Sequence, residues 1–144
     1  MYFTKIHVSN VRKAKKKLRN ILKKLMQYVL KEKRDIDEEN INLEELKKMI
    51  KQDNVILLDV RSPQEYKEKH IRGAILIPSY EINKQEIQKR LKDKEQTIIV
   101  YCLSGARSQK IIELLKKIGY TNLYHLKDGI EAYPEDDIFI TNEY

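Results

Sequence analysis

Apolar side chains recur at steps of three and four residues early in the chain: Val11, Ala14, Leu18, Ile21, Leu22, Leu25, Met26 and Val29. That spacing puts them on one face of a helix and predicts a helix over residues 10–31. Lys13, Lys16, Lys17, Lys23 and Lys24 fall on the other faces, and neither Gly nor Pro interrupts. Between residues 31 and 40 the only apolar side chain is Ile36, so the periodicity lapses and residues 35–40 are expected to be a linker.

Beyond residue 41 helix and strand signals alternate. Asn42 with Glu45 three residues later has the capping-box pattern, and Leu43, Leu46, Met49 and Ile50 give that helix its buried face. Val55, Ile56, Leu57 and Leu58 form an unbroken apolar run, as expected for a strand covered on both sides. Ser62, Pro63 and Glu65 start a second helix, which Gly73 is expected to break. A strand over residues 74–77 should stop at Pro78. A helix over 82–91 comes next, with Ile82, Ile87 and Leu91 inward. Residues 97–101 carry the strongest strand signal. Residues 106–118 predict a helix with Ile111, Ile112, Leu114, Leu115 and Ile118 buried, ended by Gly119. A short strand over 123–126 and a final helix near 129–133, stopped by Pro134, complete the pattern, and the acidic tail from Glu135 shows none. Such alternation indicates parallel βαβ units, an α/β fold. In sheets of that kind sites gather at the C-terminal ends of strands, which directs attention to the residues just after Val60, Tyr101 and Leu126.

Charge sharpens the division of the chain. The net charge of +7 over 144 residues is unevenly spread. Residues 1–34 hold 12 Lys and Arg against Glu32 alone, a net of +11, and the remaining 17 Lys and Arg face 21 Asp and Glu, a net of −4. We therefore expect a basic helical extension over 1–34, a linker over 35–40 and a folded domain over 41–144. A body of roughly 100 residues can bury a core of its own. No apolar run approaches the ~20 residues that cross a bilayer, and no secretory leader is evident, so a cytoplasmic protein, membrane-peripheral at most, is expected. One cysteine forms no internal disulfide, which suits a reducing compartment.

That cysteine, Cys102, sits where the strongest strand meets the long helix, in the run Cys102, Leu103, Ser104, Gly105, Ala106, Arg107, Ser108. A loop there can curl its backbone N–H groups inward, and the unpaired N–H groups of the next helix add partial positive charge. Together they make an anion nest. A thiol at its edge has a lowered pKa and reacts as thiolate. A persulfide, also anionic, fits the same cradle. Gly105 permits the tight curve and Arg107 adds positive charge. Against this stands the reading of Cys102 as a small buried hydrophobe, which many lone cysteines are.

The chain resembles the rhodanese family at two places. Leu57, Leu58, Asp59, Val60 and Arg61, then Glu65 and Tyr66, then His70, Ile71, Arg72, Gly73 and Ala74, then Ile77 and Pro78, resemble the family's first signature. The Cys-x-x-Gly-x-Arg-Ser pattern from Cys102 to Ser108 resembles its active-site loop. Order and spacing agree, and the resemblance runs from about Ile41 to Tyr133. It implies a five-stranded parallel sheet flanked by helices. It also implies ping-pong sulfur transfer, in which Cys102 takes a sulfane sulfur from a small donor such as thiosulfate or a persulfide. A thiol or cyanide acceptor then removes it. The six residues from Cys102 to Arg107 match the sulfur-transferring members, whereas related phosphatases and arsenate reductases have a loop one residue longer. Asp128 stands where the family often has a glycine and Tyr133 where it has a tryptophan; both are expected to lie away from the nucleophile. The alternative to an enzyme is a module that keeps the fold and binds only an anion or a partner.

The expected site is therefore Cys102 as nucleophile with Leu103, Ser104, Gly105, Ala106, Arg107 and Ser108 around the substrate. Asp59, Arg61 and His70 are expected to support it structurally, through an ion pair and hydrogen bonds. Glu65 is expected to be a helix cap. His7 and His125 carry no signal. No metal-ligand cluster or cofactor motif appears, so neither a metal nor a cofactor is expected. For the helix over 10–31 four partners stay open: its own body or a second copy, an anionic lipid surface, a protein, or nucleic acid. Specific nucleic-acid binding ranks last, since no aromatic residues interleave with the lysines.

Overall fold

The computed structural model describes the backbone of residues 2–134 and 140–143, with side chains from residue 8 to 30, 39 to 134 and 140 to 143. It separates into two compact units, Met1–Glu38 and Glu39–Tyr144. The first is made by a single helix, α1 (Tyr2–Glu39), whose last residue falls in the second unit. It outruns the expected 10–31 at both ends, so the stretch expected as a linker over 35–40 is helical as far as Glu39. The physical reason is composition: no Gly or Pro lies between Tyr2 and Glu39, and Lys, Arg and Glu propagate a helix nearly as well as Ala. The apolar stripe is exposed at Val11, Leu18, Ile21, Leu22, Leu25, Met26 and Val29.

The second unit is an α/β fold built on a parallel sheet of five strands, with helices on both faces. Its strands are β1 (Asn40–Ile41), β2 (Val55–Asp59), β4 (Ile75–Leu76), β5 (Thr97–Tyr101) and β6 (Leu123–Leu126), in the spatial order β1-β6-β5-β2-β4. The long central pair runs in register from Val55 beside Thr97 to Asp59 beside Tyr101. Side chains alternate across it as the period of two requires. Leu58, Ile98 and Val100 pack with Ile87 of α4 (Lys84–Arg90) and its C-cap Leu91, and with Ile111, Ile112 and Leu115 of α5 (Ala106–Lys117). Leu57, Ile99 and Tyr101 face Leu43 and Leu46 of α2 (Leu43–Met49) and Ile130. Two packed faces account for the unbroken apolar runs.

Local signals set the helix starts. Asn42 and Ser62 each accept from the N–H three residues on, and Glu45 and Glu65 reach back to the cap N–H, so both capping boxes form. α3 (Pro63–Glu68) stops before Gly73, because Lys69 turns extended and His70–Ile71 (β3) pairs antiparallel with Ile140–Thr141 (β7). α4 starts two residues later than expected, since Asn83 caps it by accepting from Glu86 N at 3.0 Å. Residues 129–133, expected as a helix, are successive turns. Gly129 is left-handed (φ 67°), and the next two N–H groups bond across to the β5–α5 loop instead of along a helix. Of the tail, residues 135–139 lie outside the described residues.

Candidate active site around Cys102

β5 delivers Cys102 to the C-terminal edge of the sheet, where the chain leaves the ladder and turns into α5. Gly105 makes the turn at φ 95° and is the N-cap of α5 with no side-chain cap, so the N–H groups of the first turn point back into the loop. Gly105 N–H donates to Cys102 Sγ at 3.1 Å. Ser108 Oγ stands 3.3 Å from Sγ, 3.1 Å from the Gly105 carbonyl and 2.8 Å from His125 Nε2, and its one proton serves one acceptor at a time. Burial is the largest single influence on the thiol and pushes its pKa up. Hydrogen bonds from the Ser108 hydroxyl and from the N–H groups of Ser108, Gly105 and Ser104 outweigh it and hold the thiol below its ordinary range. Cys102 is thus a buried thiol with the microenvironment of a nucleophile. Leu103 is half-buried, while Ser104 and Ala106 are exposed at the mouth.

Arg107 does not aim a free charge at the thiol. Its Nη1 and Nη2 donate to Glu65 Oε2 and Oε1 at 2.8 and 2.6 Å, bridging α5 to α3, although its field still reaches Cys102. Glu65 therefore does two jobs, since the same carboxylate caps α3. The hydrogen bonds from Arg107, with those from Ser62 and against the opposing effect of burial, hold its carboxyl at about 2. A folded-state value below the unfolded one, ~4.3, means a contribution that is present above that value and fades as pH falls through it toward about 2. The pair is partly exposed, so we expect about 1 kcal/mol or less. Glu65→Gln should flatten the loss of stability between those two pH values by that amount in acid titrations of thermal unfolding. An unchanged acid limb would contradict the pairing.

Asp59 and Arg61 lie behind the site as a buried pair. Arg61 Nη2 donates to Asp59 Oδ2 and to the Lys69 carbonyl, both at 2.7 Å, and Nε reaches both carboxylate oxygens. The guanidinium also sits 5.7 Å from the centroid of the Tyr101 ring. His70 is buried, stacks on Tyr66 at 3.7 Å and places Nδ1 2.8 Å from the Tyr66 carbonyl. These three brace the β2–α3–β3 segment and have no hydrogen bond to the thiol among the contacts described. Among the described residues no three His, Cys, Asp or Glu side chains gather as a metal site.

Asn40 and His125 carry no signal in the sequence, and Gly129 only a partial one. His125 and Asn40 meet across the β1–β6 ladder, with His125 Nδ1 3.0 Å from Asn40 Oδ1. Gly129 lies under the loop, where an added Cβ would stand 2.1 Å from the Leu103 carbonyl oxygen. Ile130 and Glu131 N–H donate to the Cys102 and Leu103 carbonyls, both at 3.0 Å. Gly129, Ile130 and Glu131, which lie between Asp128 and Tyr133, therefore abut the Cys102 loop. The nearest available cue was the Gly in that segment.

Known proteins resemble this chain over the same domain. The family model described as Rhodanese-like domain matches residues 42–136. Thiosulfate sulfurtransferase PspE of Escherichia coli (strain K12) is 41% identical over 66 residues, which are 46% of this chain and 62% of that protein. A tRNA uridine(34) hydroxylase of Hamiltonella defensa is 33% identical over 92 residues, 62% of this chain and 26% of that protein. The chain thus spans less than two thirds of these relatives. Among solved structures, a rhodanese-related protein of Thermoplasma volcanium superposes with a TM-score of 0.58 at 28% identity, covering 73% of this chain and 99% of that one.

Proposed function

The chain belongs to the rhodanese-like domain family, and on that premise we propose that it is a sulfurtransferase whose carrier is a persulfide on Cys102. One observation carries the proposal: a thiol at a strand end, ringed by N–H and hydroxyl donors of the loop and the first turn of α5. With thiosulfate as donor, Cys102 Sγ attacks the sulfane sulfur. The donor's S–S bond breaks and its electron pair leaves with sulfite. The terminal sulfur of the resulting persulfide carries the negative charge, and the donors that lower the thiol pKa stabilise that charge too. A cyanide or thiolate acceptor then attacks the terminal sulfur, taking it as thiocyanate or a new persulfide and returning Cys102 as thiolate. The relative named for thiosulfate sulfur transfer supports this donor class.

The test is thiosulfate-dependent thiocyanate formation, run beside hydrolysis of an aryl phosphate. The reading expects the first and at most traces of the second. Phosphatase turnover without sulfur transfer would overturn it.

We further propose that α1 is dispensable for this chemistry, because every residue named at the site lies in Glu39–Tyr144. A protein consisting of residues 35–144 should keep its circular dichroism and transfer rate within about twofold, as expected for removal of a separate unit. An unfolded or inactive product would show that the helix belongs to the core. No helix among the described residues is long and apolar enough to cross a membrane.

A further inference from the structure

His125 is buried, belongs to the sheet core and has no part in the chemistry above. Its two ring nitrogens are nevertheless committed in opposite senses. Asn40 Oδ1 can only accept, so the Nδ1 facing it at 3.0 Å carries the ring proton. Nε2 is left with its lone pair, 2.8 Å from Ser108 Oγ, which in turn lies 3.3 Å from Cys102 Sγ. Four side chains from four elements form one line that ends on the nucleophile: Asn40 on β1, His125 on β6, Ser108 on α5 and Cys102 after β5.

We propose that the proton of the Cys102 thiol leaves through Ser108 to His125, and that Asn40 holds the imidazole in the tautomer that receives it. The Cys102 thiol proton passes to Ser108 Oγ as the Ser108 hydroxyl proton passes to His125 Nε2. Two protons each shift by one site, a net transfer of one from sulfur to imidazole; nothing is oxidised, and the products are thiolate and imidazolium. The chain of donors then reverses. Nε2–H donates to Ser108 Oγ and the hydroxyl donates to the thiolate, a role open to Ser108 because a hydroxyl is both donor and acceptor. The Gly105 carbonyl also faces the ring and favours the protonated form.

Among the described residues the other titratable group whose charge reaches His125 is Asp128, on the turn after β6, and it likewise favours imidazolium, while Ser108 and Asn40 bring no charge. Burial is the strongest influence on the ring and lowers its pKa, so His125 is a neutral base when the thiol is un-ionised. His125 is a positioning residue in this scheme, since it acts on the sulfur only through Ser108. The inference rests on Cys102 being the nucleophile of the proposed sulfur transfer, but its test reads ionisation and not turnover.

Cys102 is the sole thiol, so alkylation of the full chain by iodoacetamide, a neutral reagent, reports its thiolate fraction without background. His125→Gln should move the midpoint of the rate-against-pH profile upward and slow alkylation near neutrality about tenfold, the equivalent of one pKa unit. Ser108→Ala should also raise it, and His125→Gln should add nothing further on the Ser108→Ala background, because the relay is already cut. A folded His125→Gln with an unmoved midpoint, or full additivity of the two changes, would overturn the relay.

A measurement on the unmutated chain guards against variants that do not fold. The His125 ring is titrated by NMR before and after carbamidomethylation of Cys102. Loss of the thiolate should lower the imidazole pKa, and an unchanged value would overturn the coupling. If the coupling is present but sulfur transfer is absent, the relay stands and the proposed activity falls.

Discussion

Cys102→Ser is expected to abolish sulfur transfer, lowering the rate on the order of a thousandfold or more, as losing a covalent nucleophile does. A serine hydroxyl in the same cradle does not ionise near neutrality, and an alkoxide does not take up a sulfane sulfur to give a persulfide. Stability should change little. The replacement is nearly the same size, and the Gly105 N–H that now reaches Sγ at 3.1 Å still finds an acceptor. The expected pair of results is therefore an intact melting temperature, within a few degrees, and no thiocyanate. Turnover retained in this variant would end the account, because no second thiol exists to take over.

The second large effect is structural and lies at Gly105. An Ala there must adopt φ 95°, which costs an L-residue ~1–2 kcal/mol. Its Cβ would also stand 1.9 Å from the Lys127 carbonyl oxygen. That atom is backbone, so the turn after β6 has to move, and that turn supplies the N–H groups bonded to the Cys102 and Leu103 carbonyls. Strain and displacement together should cost on the order of 3 kcal/mol, a melting-temperature loss on the order of 10 °C or more for a body of this size. Activity should fall more than about tenfold even where the protein stays folded, since the displaced N–H is one of those that hold the thiolate. Gly73→Ala is the control. Its φ is 83°, but nothing lies within 4 Å of the added Cβ, so it should cost the backbone penalty alone, ~1–2 kcal/mol. Equal losses in the two variants would show that the loop does not depend on close approach at Gly105.

These predictions depend on features that differ in how openly the sequence displays them. The β-branched run over Thr97–Tyr101, the Ser62-Pro63-Glu65 start and the amphipathic face of α5 are local patterns, and the structure follows each within a residue or two. Cys102 beside Gly105 belongs to the same class, because strand, loop and helix are contiguous. Of the four two-residue strands among the described residues, β4 lies inside the apolar run 74–77, whereas β1, β3 and β7 leave no periodicity and only their partners define them. Glu65 shows its cap in the local pattern but not its bond to Arg107, which spans 42 positions. The Asn40–His125 contact spans 85 and arises from strand order, which hydrophobic alternation does not encode. The late turn misled for a related reason: Gly129 resembles a helix start in sequence, while its actual constraint is a backbone approach to Leu103.

The most direct test of the central claim is the intact mass of the purified full chain after incubation with thiosulfate. The account predicts a gain of one sulfur atom on the unmodified protein, localised to Cys102, reversed by cyanide and absent from Cys102→Ser. A mass that stays unchanged in the wild-type chain while the thiol remains open to alkylation would contradict it.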